Sequence, residues 1–183
     1  MAYSTRLTRP NQTWALAKQD AFANPLAPTT TELNNALFVA NFSCALTEDG
    51  TSLTLGDSDT DDTLTFCSIG NESTPTFKNP TAQWTALKEA NTGGSGSTVD
   101  LTSLYNKAWA WFGVAPDVPY WVISRTGPNA SQDIAWAIGH KIKMALFSTD
   151  YMVEAPEQSS SGRFQQNFLY SGGAVVWNYQ IAA

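Results

Sequence analysis

The stretch VDLTSLYNKAWAWF, residues 99–112, decides the fold because it is the one long helical pattern in the sequence. Its apolar side chains recur at spacings of three and four residues, which is the period of an α-helix with one apolar face. That face comprises Leu101, Leu104, Tyr105, Ala108, Trp109 and Phe112. Thr98 or Asp100 can cap the start of the helix, and Gly113 with Pro116 ends it.

An apolar helical face of this width has to be buried against another element. The rest of the sequence contains no second helical pattern of similar strength, so we expect the helix to pack on a β-sheet. With 183 residues, 43% of them hydrophobic, the chain suits one globular domain. The sequence has no apolar run of about eighteen residues and no apolar core of a signal peptide, so we expect neither a transmembrane helix nor secretion.

Alternation of apolar and polar residues predicts seven or eight strands around the helix. These are residues 36–47, 51–55, 63–69, 119–126, a strand within 135–148, 164–170 and 174–181, whereas residues 84–89 fit helix or strand, with strand slightly favoured. Glu48-Asp49-Gly50 is expected to turn the chain into a first hairpin, and Ser171-Gly172-Gly173 into a terminal one. The pattern predicts a mainly β fold, an antiparallel β-sandwich or open barrel with one flanking α-helix.

Residues 1–35 are predicted to form an N-terminal arm, and residues 36–183 the β domain. Three prolines interrupt the arm, which argues against a regular core element there. Thr29 and Glu32 have the spacing of a capping box, which predicts one short helical turn. Trp14 in the arm needs burial, either on the same domain or on a neighbouring copy.

The net charge of −6 is unevenly distributed along the chain. No Lys or Arg occurs between Lys18 and Lys78, whereas that interval contains nine acidic residues. The rest of the chain, with ten basic and seven acidic residues, carries +3. The acidic interval can consist of solvated loops, or it can be one surface of a head-to-tail contact between copies. Charge by itself favours the solvated loops.

Three aspartates, Asp57, Asp59 and Asp61, occupy the first three ligand positions of a Ca²⁺-binding loop. The sixth position of that motif is Asp62 rather than Gly, and the twelfth is Ser68 rather than Glu. Clustered carboxylates can still bind a divalent ion weakly, but an acidic turn or a subunit contact is favoured over an EF-hand-type site.

The remaining candidates for chemistry favour structural roles. His140, the one histidine, lies at an apolar position of a predicted strand without a serine nucleophile motif, so we expect a hydrogen-bonded structural histidine. Cys44 and Cys67 lack metal-ligand spacing and are expected to be reduced and buried in strands. The sequence contains no phosphate loop, dinucleotide motif or basic patch interleaved with aromatics, so it predicts no enzyme, no cofactor and no tight nucleic-acid binding.

Most tryptophans fall inside predicted regular elements, where core packing is the common role. Trp111 is an exception because it lies off the apolar face of the helix, and Trp14 is another because it lies in the arm. Both are predicted to cover a subunit interface, since together they give more apolar surface than a monomer would expose.

Several segments match, in order, a pattern that spans most of the chain. They are APTTTELN (27–34), ALTEDGTSLTLGDSDTDDTLTFC (45–67), GNESTPT (70–76), the helix near 101–112 and YWVISRTG (120–127). In these segments the chain resembles the tail tube proteins, or major tail proteins, of long-tailed bacteriophages, especially those that infect actinobacteria.

The resemblance implies a β-sandwich with a flanking helix, assembled as homohexameric rings that stack into a hollow tube around a tape measure protein. DNA would later pass through the tube without specific binding, and a negatively charged lumen would agree with the acidic interval. The N-terminal arm and an extended loop would bridge rings. The resemblance also implies no catalytic residue, no membrane contact, assembly in the host cytoplasm and a final location in the virion tail.

Within this interpretation the candidate residues for ring-to-ring contact or for lining the lumen are Glu48, Asp49, Asp57, Asp59, Asp61, Asp62, Trp14 and Trp111. The alternative function is a monomeric β-sandwich module that binds carbohydrate through exposed Trp side chains and Ca²⁺ at residues 57–62. Rings or tubes in electron micrographs of the purified protein would distinguish the two.

Overall fold

The computed structural model describes residues 12–57, 59–61, 74–87, 103–113, 115–126, 135–155 and 163–181. The strands are β1 (Gln12–Lys18), β2 (Val39–Asn41), β3 (Ser52–Leu55), β4 (Asp59–Asp61), β5 (Thr74–Phe77), β6 (Pro80–Leu87), β7 (Pro119–Thr126), β8 (Lys141–Thr149), β9 (Val153–Ala155) and β10 (Arg163–Gln180). The helical elements are a 3-10 turn (Gln19–Ala21), α1 (Thr30–Leu33), α2 (Leu104–Ala108) and a π-helical turn (Trp109–Gly113) that continues α2. The prediction of a mainly antiparallel β fold with one flanking helix is confirmed.

One curled antiparallel sheet organises the fold. Its strand order is β2-β1-β7-β8-β10-β6-β3, and β9 pairs with β10 beside this path. The rings of Trp14 on β1 and Trp84 on β6 have centroids 6.1 Å apart, although three strands separate β1 from β6. In a flat sheet β1 and β6 would lie about 19 Å apart, because neighbouring strands are spaced by about 4.8 Å. The sheet is therefore curled into an open barrel.

The segment after β2 closes the gap in this barrel. The backbone N–H of Phe42 donates to the carbonyl of Trp14 on β1 at 2.9 Å, and the N–H of Thr47 donates to the carbonyl of Thr85 on β6 at 2.8 Å. A few residues of the same segment thus hydrogen-bond to both sides of the opening.

The prediction of one long strand over residues 36–47 is wrong, because the strand ends at Asn41. The side-chain oxygen of Asn41 accepts a hydrogen bond from the N–H of Ser43 at 2.9 Å, which turns the chain. Cys44 lies in this turn as a free, exposed thiol rather than in a buried strand. The first predicted hairpin is also wrong, since β3 pairs with β6. Cys67 and the predicted strand at 63–69 lie outside the described residues.

Aromatic side chains fill the inside of the barrel. Phe42, Trp84, Phe112, Phe147 and Phe164 are fully buried there. Phe112, from the π-helical turn, meets Trp84 edge to face with centroids 5.6 Å apart. The helix therefore packs on the sheet, as its apolar face predicts.

The helix begins later than the sequence pattern predicts. Ser103 has an extended backbone, and α2 starts at Leu104, so a helix running from residue 99 is wrong at its start. Ala108 and Phe112 of the predicted face are fully buried, and Leu104, Tyr105 and Trp109 pack beside them on the inner core. The predicted caps Thr98 and Asp100 lie outside the described part of the chain.

A second core covers the outer face of β1, β7 and β8. It contains Ala15, Ala17, Trp121, Ile123, Ile142 and Met144 from the strands, and Leu33 and Trp136 from the segments that cover them. Leu33 belongs to α1, whose start is fixed by the predicted capping box. The N–H of Glu32 donates to Thr29 Oγ1 at 3.3 Å, and the Glu32 carboxylate accepts from the N–H of Thr29 at 2.9 Å. The capping-box prediction is confirmed.

Replacement of Thr29 by Ala should lower the free energy of unfolding by about 1 kcal/mol, because the N–H of Glu32 loses its acceptor. Thr31→Ala is the matched control, since Thr31 is exposed within the same helix and should change the free energy by less than about 0.5 kcal/mol. Urea unfolding of the two variants provides the measurement. Equal losses would show that the capping box does not stabilise α1.

Part of the predicted N-terminal arm belongs to the sheet as β1. Ala15, Leu16 and Ala17 are fully buried, and β1 pairs with β2 on one side and with β7 on the other. The arm prediction is therefore wrong for Gln12–Lys18, which is an interior strand. Residues 1–11 lie outside the described residues, so an arm formed by them stays a prediction.

The predicted terminal hairpin is wrong, because its residues lie in one strand, β10. β10 runs without reversal from Arg163 to Gln180, and β8 pairs with it on both sides of Gly172 and Gly173. The two glycines have φ of 80° and 93° and lie where the register shifts between Tyr170 and Val175. Positive φ is accessible to glycine, so Ser171-Gly172-Gly173 forms a bulge instead of a hairpin turn. In contrast, β7 has the predicted bounds, and residues 84–87 lie in a strand, as favoured.

Candidate assembly surface

The acidic interval includes a β-ribbon that continues the edge of the sheet. β3 pairs with β6 as far as Leu55 and Pro80, and the next residues still pair, with the N–H of Gly56 donating to the carbonyl of Asn79 at 2.8 Å. The Asn79 side-chain amide donates to the carbonyl of Asp57 at 3.0 Å. Beyond this point the chain continues into β4 and β5, which pair only with each other among the described residues. We call β4 and β5, with the connection at residues 56–57 and 78–79, the acidic ribbon.

The candidate acidic residues lie on this ribbon and on the turn that precedes β3. Glu48 and Asp49 are exposed in that turn, which has the predicted position. Asp57 is exposed at the base of the acidic ribbon, as is the basic residue Lys78. The predicted acidic turn over residues 57–62 is wrong for Asp59–Asp61, whose backbone forms β4. Asp62 lies outside the described residues.

The two candidate tryptophans are half-buried and pack against the inner core of their own chain. The ring of Trp14 meets that of Trp84 edge to face, and the backbone N–H of Trp14 donates to Ser43 Oγ at 2.8 Å. Trp111 stacks on Tyr120 with ring centroids 5.8 Å apart, and the Tyr120 hydroxyl donates to the Trp111 carbonyl at 2.8 Å. Burial raises the pKa of Tyr120, so its hydroxyl remains a donor at neutral pH. The interface role of both tryptophans stays a prediction.

The surface also contains apolar residues that sequence patterns did not single out. Tyr151, Val153 and Leu169 are 76%, 53% and 54% exposed near the end of β8, on β9 and on β10. Leu169 directly follows the buried Phe168, so alternation along β10 gives the signal that Leu169 faces outward. Large apolar side chains exposed in this way are candidates for contact with another protein.

In the part of the chain that the structure describes, no three His, Cys, Asp or Glu side chains come together to hold a metal ion. His140 accepts hydrogen bonds at Nδ1 from Arg125 and from the N–H of Ala137, so the expected hydrogen bonding is confirmed. Its predicted place within a strand is wrong, because His140 is half-buried just before β8. None of the described helices is long and apolar enough to cross a membrane. Exposed carboxylates repel phosphate groups and attract basic surfaces, so this surface is suited to contact with protein.

Comparison with known families decides between the two functional interpretations. A family model described as phage tail tube protein matches residues 1–183, the whole chain. The chain belongs to the phage tail tube protein family. The search of curated proteins gave no match. The tail tube protein is thus a structural protein of the virion tail that assembles with copies of itself into a tube, as the sequence resemblance implied. The restriction to long-tailed phages of actinobacteria stays a prediction.

Proposed function

We propose that this tail tube protein is the subunit of stacked hexameric rings that form a hollow conduit for DNA delivery. The observation that carries the proposal is the family match over the whole chain. In this proposal the tape measure protein occupies the lumen during assembly in the host cytoplasm, and DNA passes through later without specific binding. No residue acts as a catalyst, and no cofactor takes part.

The filled barrel supports a lumen that lies between subunits. Trp84 and Phe112 are fully buried inside the barrel, and the rings around them are 5.4–6.5 Å apart, which leaves no passage through the described part of the barrel. Barrels with about eight strands have interiors just wide enough for their own side chains. A conduit for DNA therefore has to be enclosed by several copies of the chain.

The acidic ribbon is the segment best placed to reach a neighbouring copy. Its strands pair only with each other in the described residues, and it continues beyond the edge strand β3. Ring stacking is a head-to-tail contact, which joins two different surfaces and repeats into a filament. The acidic residues of the ribbon serve either this contact, by pairing with basic groups of the next ring, or the lumen, where they keep DNA phosphates from sticking.

Replacing Asp57, Asp59, Asp61 and Asp62 together by Asn tests this role. If each carboxylate contributes about 0.5 kcal/mol to a contact, the association constant of each subunit contact between rings should fall about 30-fold. Tubes counted by electron microscopy at fixed concentration give the measurement, with DNA delivery by reconstituted particles as the second readout.

The matched control changes Asp20, Asp100, Asp117 and Asp133 to Asn, which removes the same four charges at positions outside the ribbon. It should assemble like the wild type. Unchanged tubes together with unchanged DNA delivery in the ribbon variant would contradict the role of the ribbon. A wild-type protein that forms neither rings nor tubes at any concentration would contradict the proposed function itself.

A further inference from the structure

Arg125, near the C-terminal end of β7, is a buried cation far from the acidic ribbon in sequence. Arg125 is 2% exposed, and its side chain donates to Thr13 Oγ1 on β1 at 2.9 Å and to His140 Nδ1 at 2.9 Å. Its guanidinium carbon lies 4.9 Å from the centre of the Trp136 ring. The hydrogen-bond partners of Arg125 in the described part of the chain are neutral, and its Nε has none. A buried charge held this way depends on each neutral acceptor.

The protonation state of His140 follows from its partners. Arginine can only donate hydrogen bonds, and so can a backbone N–H. His140 Nδ1 receives both kinds, from Arg125 at 2.9 Å and from the N–H of Ala137 at 3.1 Å. Nδ1 therefore carries no proton, and the ring is neutral with its hydrogen on Nε2. A proton on Nδ1 would make this nitrogen a donor that faces the donors of Arg125 and Ala137. It would also place a second positive charge beside the guanidinium.

The segment 135–140 lies over the outer core and is hydrogen-bonded to two other elements besides β7. Trp136 is buried, and its backbone exchanges two hydrogen bonds with the side chain of Asn34, at 2.8 and 2.9 Å. Gly139 donates to the carbonyl of Ile181, and Ile181 donates to the carbonyl of His140, both at 2.9 Å. The same few residues thus tie β7, the loop after α1 and the end of β10 together.

We propose that neutral His140 is an acid-sensitive latch, whose protonation breaks the contact with Arg125 and Ala137 and frees residues 135–140 from the sheet. The charged or titratable groups around it in the described residues are Arg125 on β7, Lys141, which follows it on β8, and Tyr179 on β10, which pairs with Ile142. Thr13 on β1 and Asn34 after α1 do not titrate. This inference concerns a single chain and is independent of the assembly proposed above.

The direction of the pH effect follows from the surroundings of His140. Burial, and then the charge of Arg125, lower the pKa of His140 from its ordinary value of 6.5. When the segment is open, His140 takes up a proton at its ordinary pKa. When the segment is closed, His140 takes it up only at the lowered pKa. The closed state is therefore fully stabilised above pH 6.5 and loses that stabilisation as the pH falls through the lowered pKa.

Hydrogen exchange of the full chain between pH 7.5 and 5, followed by mass spectrometry, tests the latch. After division by the intrinsic exchange rate at each pH, the opening constant of peptides covering 135–140 should rise up to about tenfold per pH unit below 6.5, as expected for uptake of one proton. Peptides from β6 provide the internal control and should not change. Constant protection of 135–140 relative to β6 would overturn the proposal.

His140→Asn provides the matched variant, because the amide oxygen of Asn can accept at the position of Nδ1 and does not titrate. This variant should remain protected at pH 7.5 and lose the pH dependence of residues 135–140. The same pH dependence in His140→Asn and in the wild type would contradict the latch. If the variant does not fold, the wild-type exchange profile alone decides, since the chain contains one histidine.

Discussion

Replacement of Trp84 by Ala should lower the free energy of unfolding by about 3–5 kcal/mol, the largest effect that we expect from one substitution. Trp84 is fully buried, and its ring contacts those of Trp14, Phe42, Phe112 and Phe168 with centroids 5.4–6.5 Å apart. β1, the segment after β2, the π-helical turn and β10 therefore meet at the ring of Trp84. Alanine would leave a cavity that these four neighbours cannot all move to fill.

Two further variants make this measurement specific. Tyr151→Ala removes an aromatic ring that is 76% exposed, and should change the free energy by less than about 0.5 kcal/mol. Trp84→Phe should cost less than half as much as Trp84→Ala, because it keeps a ring and removes the buried Trp84 Nε1–H, which has no hydrogen-bond partner among the described residues. Urea unfolding gives all three values. Similar losses for Trp84→Ala and Tyr151→Ala would show that the barrel interior is not the main core.

Replacement of Gly50 by Ala should cost about 2–4 kcal/mol, although Gly50 lies in an exposed turn. Gly50 has φ of 84°, which an alanine adopts only at a cost of about 1–2 kcal/mol. A Cβ at this position would also overlap Thr85 Oγ1 and come within 3.3 Å of Thr85 Cβ. Thr85 is buried and donates to the Gly50 carbonyl, so it cannot move away without losing that hydrogen bond.

Gly172→Ala separates the backbone cost from the steric cost at Gly50. Gly172 has a similar φ of 80°, but a Cβ there would have no atom within 4 Å. Its replacement should therefore cost only about 1–2 kcal/mol. Thermal and urea unfolding of both variants give the comparison. Equal losses would mean that the turn before β3 does not approach β6 as closely as the structure shows.

Local chemistry explains which elements could be predicted from the sequence. The capping box at Thr29 and the strand Pro119–Thr126 depend on residues within a few positions of one another, and both have the predicted bounds. β1 could not be recognised, because it is covered on both faces. Ala15, Leu16 and Ala17 are all buried, so the alternation that marks a half-exposed strand is missing. Ser171-Gly172-Gly173 suits a hairpin or a bulge, and only the pairing with β8 decides between them.

The candidate site, too, could be predicted from the sequence only where the signal is local. The acidic interval could be found by counting charges, since it extends from Lys18 to Lys78 without a base. Its arrangement as a ribbon depends on pairing between β4 and β5, whose residues are separated by more than ten positions. The contact between Arg125 and His140 gives no sequence signal, because neither residue forms part of a motif. Thr13, which also accepts from Arg125, lies 112 positions before it.

The position of β10 in the sheet determines when the chain can fold during its synthesis. Among the described strands, β10 alone pairs with both β8 and β6, so the sheet stays incomplete until residues 163–180 have been made. Pairs such as Gln12 with Thr126 also connect distant parts of the chain and form slowly. Because the ribosome makes the N-terminal strands first, they must wait for the last strand. A partly synthesised chain therefore has no finished barrel to add to a growing tube.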